Sequence, residues 1–106
     1  MRFFLLFLFF ITACAQESSS IKPEDLPKRG RSIYLAQCIS CHAPDPARDG
    51  PMGPAVKGAS RKLLEARLLQ RAYPAGYTPK RTTHVMPAMP HLQGELDALA
   101  AFLSLP

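Results

Sequence analysis

Hydrophobic and polar positions fall into distinct blocks along the 106 residues. Phe3 to Ile11 is apolar without a break, and Ala15 to Pro27 (AQESSSIKPEDLP) is polar. Beyond that, short helical runs alternate with stretches rich in proline and glycine. Lys28 to Ile39 reads as a first helix. Ala43 to Ala59 holds four prolines and three glycines and reads as loop. Ser60 offers a side-chain acceptor to the orphan amides of a second helix, from Arg61 to about Ala72. In it Leu64, Leu68 and Ala72 form one stripe with Leu63 and Leu69 beside it. Arg61, Lys62, Glu65, Arg67, Gln70 and Arg71 take the solvent side. Pro74, Gly76 and Pro79 then keep the chain in loop. Leu96, Leu99, Ala100 and Leu103 recur at i, i+3, i+4 and i+7, which predicts a last helix from about Gly94 to Ser104.

Composition changes this picture in one respect. Five of the six phenylalanines lie in the first ten residues, and there is no tryptophan. From Cys14 onward the aromatic side chains are Tyr34, Tyr73, Tyr77 and Phe102. The body of the chain therefore has few large groups for a core, and chains this short usually lean on disulfides, a metal or a cofactor. Three cysteines are too few for a disulfide framework, so a cofactor is expected. A multi-domain enzyme is excluded by length.

The apolar run after Met1-Arg2 is too short to span a bilayer: ten residues rise about 15 Å as a helix, half a hydrocarbon core. Its order, a charged start and then an apolar stretch, is that of a secretory signal peptide. Ile11-Thr12-Ala13-Cys14 resembles the lipobox of bacterial lipoproteins, which would make Cys14 a lipidated N-terminus and anchor the chain to a membrane without a spanning helix. The competing reading is a small-x-small cleavage site at Ala13-Cys14-Ala15, giving a soluble exported protein. The expected organisation is a signal peptide over 1–13, a lipid-anchored tether over 14–27 and one domain over 28–106, on the periplasmic side of a bacterial membrane.

Cys38-Ile39-Ser40-Cys41-His42 carries the chemistry. Cys-x-x-Cys-His is the attachment signal for haem c. On a helix, residues i and i+3 share a face, so both thiols reach the two vinyl groups of one porphyrin. His42 can then present its imidazole to the iron. A thioredoxin-like dithiol needs a βαβ pattern, which is missing. A zinc site needs four ligands, and there is no second Cys-x-x-Cys and no His-x3–5-His. A disulfide between Cys38 and Cys41 closes too short a loop to stabilise much.

From Lys28 onward the chain resembles a class I mono-haem cytochrome c of the short bacterial kind. Besides the attachment motif, Gly30-Arg31-Ser32-Ile33-Tyr34 is similar to the family's first helix, where a glycine and an aromatic meet the C-terminal helix. Gly53-Pro54-Ala55-Val56-Lys57-Gly58 is similar to its G-P-x-L-x-G segment, and Met86-Pro87 ahead of the last helix to its sixth-ligand loop. The resemblance implies an all-α fold of three or more helices and Pro/Gly-rich loops around one covalent haem c. It also implies that the Pro54 carbonyl accepts a hydrogen bond from His42. Tyr77 is expected near the haem.

Met86 and Met89, each followed by proline, compete for the sixth position. Family members keep the ligand methionine well ahead of the aromatic of the last helix, and Met86 stands 16 residues before Phe102. The resemblance thus implies Met86 as ligand, with Met89 packing on the haem edge and Met52 in loop or edge packing. A second axial histidine, His84 or His91, or an open sixth position are the alternatives. With the haem filling in for a core, the haem-free chain is expected to be largely unfolded.

An iron with both axial positions filled has only electron exchange left to it, so the expected function is single-electron transfer between membrane or periplasmic redox partners. The chain is read as a carrier or as the haem c subunit of an oxidoreductase. It is not read as an enzyme with a small-molecule substrate; a haem enzyme or gas sensor is the alternative. Residues 28–106 carry 11 Lys and Arg against five Asp and Glu. Lys57, Arg61, Lys62, Lys80 and Arg81 flank the loops expected near the haem. They could steer docking to acidic partners or partly neutralise the propionates. Nucleic acid is not an expected partner of an exported chain.

Overall fold

The structure, a computed structural model, describes residues 20–106. The expected signal peptide and Cys14 lie outside them. A 3₁₀ turn over Pro23–Asp25 leads into α1 (Leu26–Gln37), followed by α2 (Arg61–Gln70), a 3₁₀ segment over Pro90–Glu95 and α3 (Leu96–Leu103). There is no strand among the described residues, so the fold is the small all-α one expected.

Helices α1 and α3 cross closely, and Gly30 is the reason they can. A β-carbon there would run into the Ala98 backbone and stand 2.8 Å from Phe102 Cβ. One turn on, Tyr34 and Phe102 pack as a tilted aromatic pair with centroids 5.4 Å apart. Tyr34, Leu68, Leu92, Leu96, Leu99 and Leu103 form the buried cluster, to which α2 contributes through Leu68. Arg29 bridges α1 to Glu95 at 2.6 Å, and Arg61 bridges α2 to Asp97 at 2.7 Å.

Helix boundaries differ from the sequence reading at four places. Helix α1 begins at Leu26, two residues early, because Pro27 fits the first turn, where its missing N–H costs nothing. The same helix stops at Gln37, so the Cys-x-x-Cys-His motif occupies turns rather than regular helix. Even so, Cys41 and His42 donate to the Cys38 carbonyl at 3.3 and 2.9 Å, which keeps the helical succession of faces. Helix α2 stops at Gln70, before Ala72, because Arg71 turns left-handed at φ 52. Ahead of α3, Pro90 opens a 3₁₀ segment, and regular helix starts at Leu96 rather than near Gly94. Ser60 caps α2 as expected, its hydroxyl accepting from the Leu63 amide at 3.0 Å.

Candidate cofactor site

The turn after α1 folds back on the loop that follows it. Met52 and Gly53 amides donate to the Cys41 carbonyl at 3.2 and 2.9 Å, and Gly50 donates to Gly53 at 2.8 Å. This brings Pro54 alongside His42, whose Nδ1 lies 2.8 Å from the Pro54 carbonyl. A carbonyl can only accept, so Nδ1 carries the proton and Nε2 keeps its lone pair for a metal. The ring is 9% exposed. Gly53 is required by this packing: a β-carbon would stand 2.6 Å from Nδ1.

His42 lines a cavity of about 300 Å³ whose apolar wall comes from Val56, Ala59, Leu63 and Leu64. Cys41 and Pro54 border it on the His42 side, and Met86, Tyr77 and Tyr73 line it from the loop after α2. Cys38 does not line the cavity; it packs half-buried against the core cluster, and burial pushes its thiol up to about 11. Both thiols are free. Met89 does not line the cavity either. It packs on the core, and its amide donates to the Leu68 carbonyl at 2.7 Å. His84 is exposed, and His91 Nε2 lies 3.4 Å from Gln37 Oε1, away from the cavity. Met52 lies at the cavity edge, its sulfur 3.9 Å from Cys41 Sγ.

Two arginines read as solvent-facing behave differently. Arg67 borders the cavity, its guanidinium 4.2 Å from the centre of the Tyr73 ring, and Tyr73 in turn stacks on Tyr77 at 5.5 Å. Arg71 reaches the Met86 loop. Neither contact has a sequence signal, because each partner lies beyond the helix that carries the arginine. Of the basic residues, Lys57, Lys80 and Arg81 line the cavity, Lys80 donating to the Ala55 carbonyl at 2.8 Å and Arg81 pairing with Asp49 at 3.5 Å. Arg61 is engaged by Asp97 and Glu65, and Lys62 is exposed on α2.

An imidazole, a thioether and the Cys41 thiol line this apolar slot, and the second thiol, Cys38, sits on the adjoining turn three residues away; these groups fit an iron porphyrin. They do not fit tetrahedral zinc: among the described residues no three His, Cys, Asp or Glu side chains gather as a metal cluster.

A family profile described as cytochrome c oxidase, cbb3-type, subunit III matches residues 25–103. The chain belongs to this family. The match covers about three quarters of the chain and spans α1 to α3 together with every cavity residue named above. Searches of curated proteins and of solved structures each returned no match. The cytochrome's cofactor is accordingly a covalently bound haem c with its iron, its role is haem-based electron transfer, and its partners are redox proteins. No helix among the described residues is long and apolar enough to cross a membrane.

Proposed function

We propose that this cytochrome carries single electrons with one haem c held by Cys38, Cys41, His42 and Met86. The observation that carries the reading is that His42, its Nδ1 held by the Pro54 carbonyl, and Met86 border the same apolar cavity. When bound, the haem supplies a one-electron ferric/ferrous couple. The Cys38 and Cys41 thiols would hold the haem covalently as thioethers, each S–H bond and one vinyl π bond giving way to one S–C and one C–H bond with nothing released. His42 Nε2 would hold the iron, and the Pro54 carbonyl fixes the ring's tautomer and orientation. Met86 Sδ would supply a second ligand, whose soft thioether would favour the ferrous state and raise the potential. Val56, Leu63, Leu64 and Tyr77 keep water from the iron. With His42 and Met86 both holding the iron, the chain would leave no position there for a substrate.

Acidic organic solvent tests the covalent assignment, since thioether-bound pigment stays with the protein whereas non-covalent haem extracts. Carbon monoxide tests the axial one. The ferrous wild-type protein is expected to bind it sluggishly and Met86→Ala readily; ready binding by the wild type favours a gas sensor or haem enzyme instead.

The rim of Lys57, Lys80 and Arg81 suits a partner with an acidic docking surface. The expected signature is an electron-transfer rate that falls with added salt, and a salt-independent rate contradicts it. The family description favours a membrane oxidoreductase as that partner. Export follows from haem c attachment outside the cytoplasm, and Cys14 supplies the membrane anchor through its lipid, with the residues ahead of the 3₁₀ turn at Pro23 as tether, since that turn and α1 take up the rest of 14–27. Mass spectrometry of the N-terminal peptide distinguishes acylated Cys14 from a cleaved, soluble form.

A further inference from the structure

Helix α2 ends on Arg71 at φ 52 and ψ 35, and no other non-glycine residue among those described has positive φ. In that region a β-carbon crowds the following carbonyl, so such helix ends ordinarily take glycine or asparagine. At its other positive-φ positions, Gly58 and Gly76, this chain does use glycine. An arginine held in this conformation directs attention to what its side chain does.

The side chain spans to the loop that carries Met86. Nε donates to the Met86 carbonyl at 3.2 Å, and Nη2 donates to the His84 carbonyl. That loop has little else. Among the described residues, no amide or carbonyl from Thr82 to Ala88 takes part in a main-chain hydrogen bond. The next fixed point is the Met89 amide on the Leu68 carbonyl. Two carbonyls two residues apart are thus met by two N–H groups of one planar fork, a match that a lysine ammonium, as a single point donor, lacks.

We propose that Arg71 is the positioning residue that holds the Met86 loop against the cavity and so sets how readily an external ligand takes the sixth position. This rests on Met86 being the sulfur ligand. An external ligand sees the iron only in the fraction of molecules whose loop is open, so its apparent affinity scales with that fraction. Losing the fork raises the open fraction.

The test is imidazole binding to the ferric, haem-loaded full chain in wild type, Arg71→Gly and Arg71→Lys, alongside the thermal midpoint of each. Glycine suits the left-handed helix end, so Arg71→Gly folds and relieves the backbone while deleting the fork. It is expected to bind imidazole about tenfold more tightly, equivalent to about 1.4 kcal/mol. Arg71→Lys is expected to fall between the two, because it keeps the charge and one donor. A purely helix-capping role makes the opposite forecast: Arg71→Gly is at least as stable as wild type and its imidazole affinity is unchanged. That result overturns the proposal. Failure of the underlying reading looks different: a wild-type ferric spectrum without the sulfur-to-iron band at the red end of the visible overturns Met86 ligation and the clamp together. A wild type that has the band, with Arg71→Gly matching it in imidazole affinity, overturns the clamp alone.

Discussion

His42 and Met86 border one cavity from segments of opposite construction. The His42 side is laced by main-chain hydrogen bonds: the Cys38, Cys41 and Gly53 carbonyls all accept within a few residues of the imidazole, and Pro54 fixes the ring itself. Gly58 ties the far end of this loop to the last helix through the Leu103 carbonyl at 2.7 Å. The Met86 side is a long irregular loop from Tyr73 to Met89, held chiefly by side chains: Arg71 reaches in from the end of α2, and the loop's own Lys80 reaches out to the Ala55 carbonyl. Main-chain lacing moves only if several bonds break together, whereas a loop pinned by side chains opens when one of them lets go. One face of the site is therefore built to hold its ligand permanently, and the other to hold it by contacts that single substitutions can remove.

Deleting the cofactor has the largest expected effect, because neither construction survives alone. The buried cluster holds one aromatic ring and five leucines. The Cys38→Ser, Cys41→Ser double variant, which cannot retain haem covalently, is expected to lose most of its helical circular dichroism. Native-like helix in that chain would show that the His42 side folds without the porphyrin. Next in size is Gly53→Ala. Its β-carbon displaces the imidazole, at a cost of about 1–3 kcal/mol in denaturant unfolding of the haem-loaded protein. The change should also disturb the axial ligand spectrum, since the rigid side has no slack to absorb it. An unaltered spectrum would mean that this wall yields more easily than its hydrogen bonding suggests.

Tyr34→Phe acts on the same side at a distance. The hydroxyl donates to the Ala43 carbonyl, next to His42, and its loss should cost roughly 1–2 kcal/mol. Burial is the main cause that pushes the Tyr34 hydroxyl up to about 12 from an ordinary 10, with the Asp45 carboxylate adding to it. The protonated form is thus favoured in the folded state. Its stabilisation is complete below pH 10 and declines as pH climbs towards 12, an alkaline limb that Tyr34→Phe should lack when stability is measured against pH. Smallest is Glu95→Gln at the exposed pair with Arg29. The side-chain hydrogen bond to Arg29 holds the Glu95 carboxyl below its ordinary 4.5. The contribution is present above the usual carboxylate range and fades as pH falls below it. Glu95→Gln should lower Tm by about 1–2 °C at neutral pH and converge with wild type in acid.

The same contrast explains what could be read from the sequence. Cys38, Cys41, His42, Gly53 and Pro54 announce the rigid side because its contacts join residues close in the chain, and local motifs encode local contacts. The pairing of Gly30 and Tyr34 with the last helix was also legible, through the resemblance of Gly30-Arg31-Ser32-Ile33-Tyr34 to the first helix of class I cytochromes c. Arg71 was not. Helical spacing places it with the solvent-facing residues, and nothing nearby signals a left-handed end whose partners lie 13 and 15 residues further on. Arg67 was hidden for a similar reason, its partner Tyr73 lying past the helix end. Met89, expected at the haem edge, packs on the core cluster and is fixed by its main-chain bond to the Leu68 carbonyl, a contact with no local motif behind it.

The ferric optical spectrum of the full-length protein, recorded for wild type, Met86→Ala and Met89→Ala, tests the assignment of the two faces most directly. A weak sulfur-to-iron band at the red end is expected in wild type and in Met89→Ala and should vanish in Met86→Ala. Its persistence in Met86→Ala, or its absence from the wild type, would contradict the account.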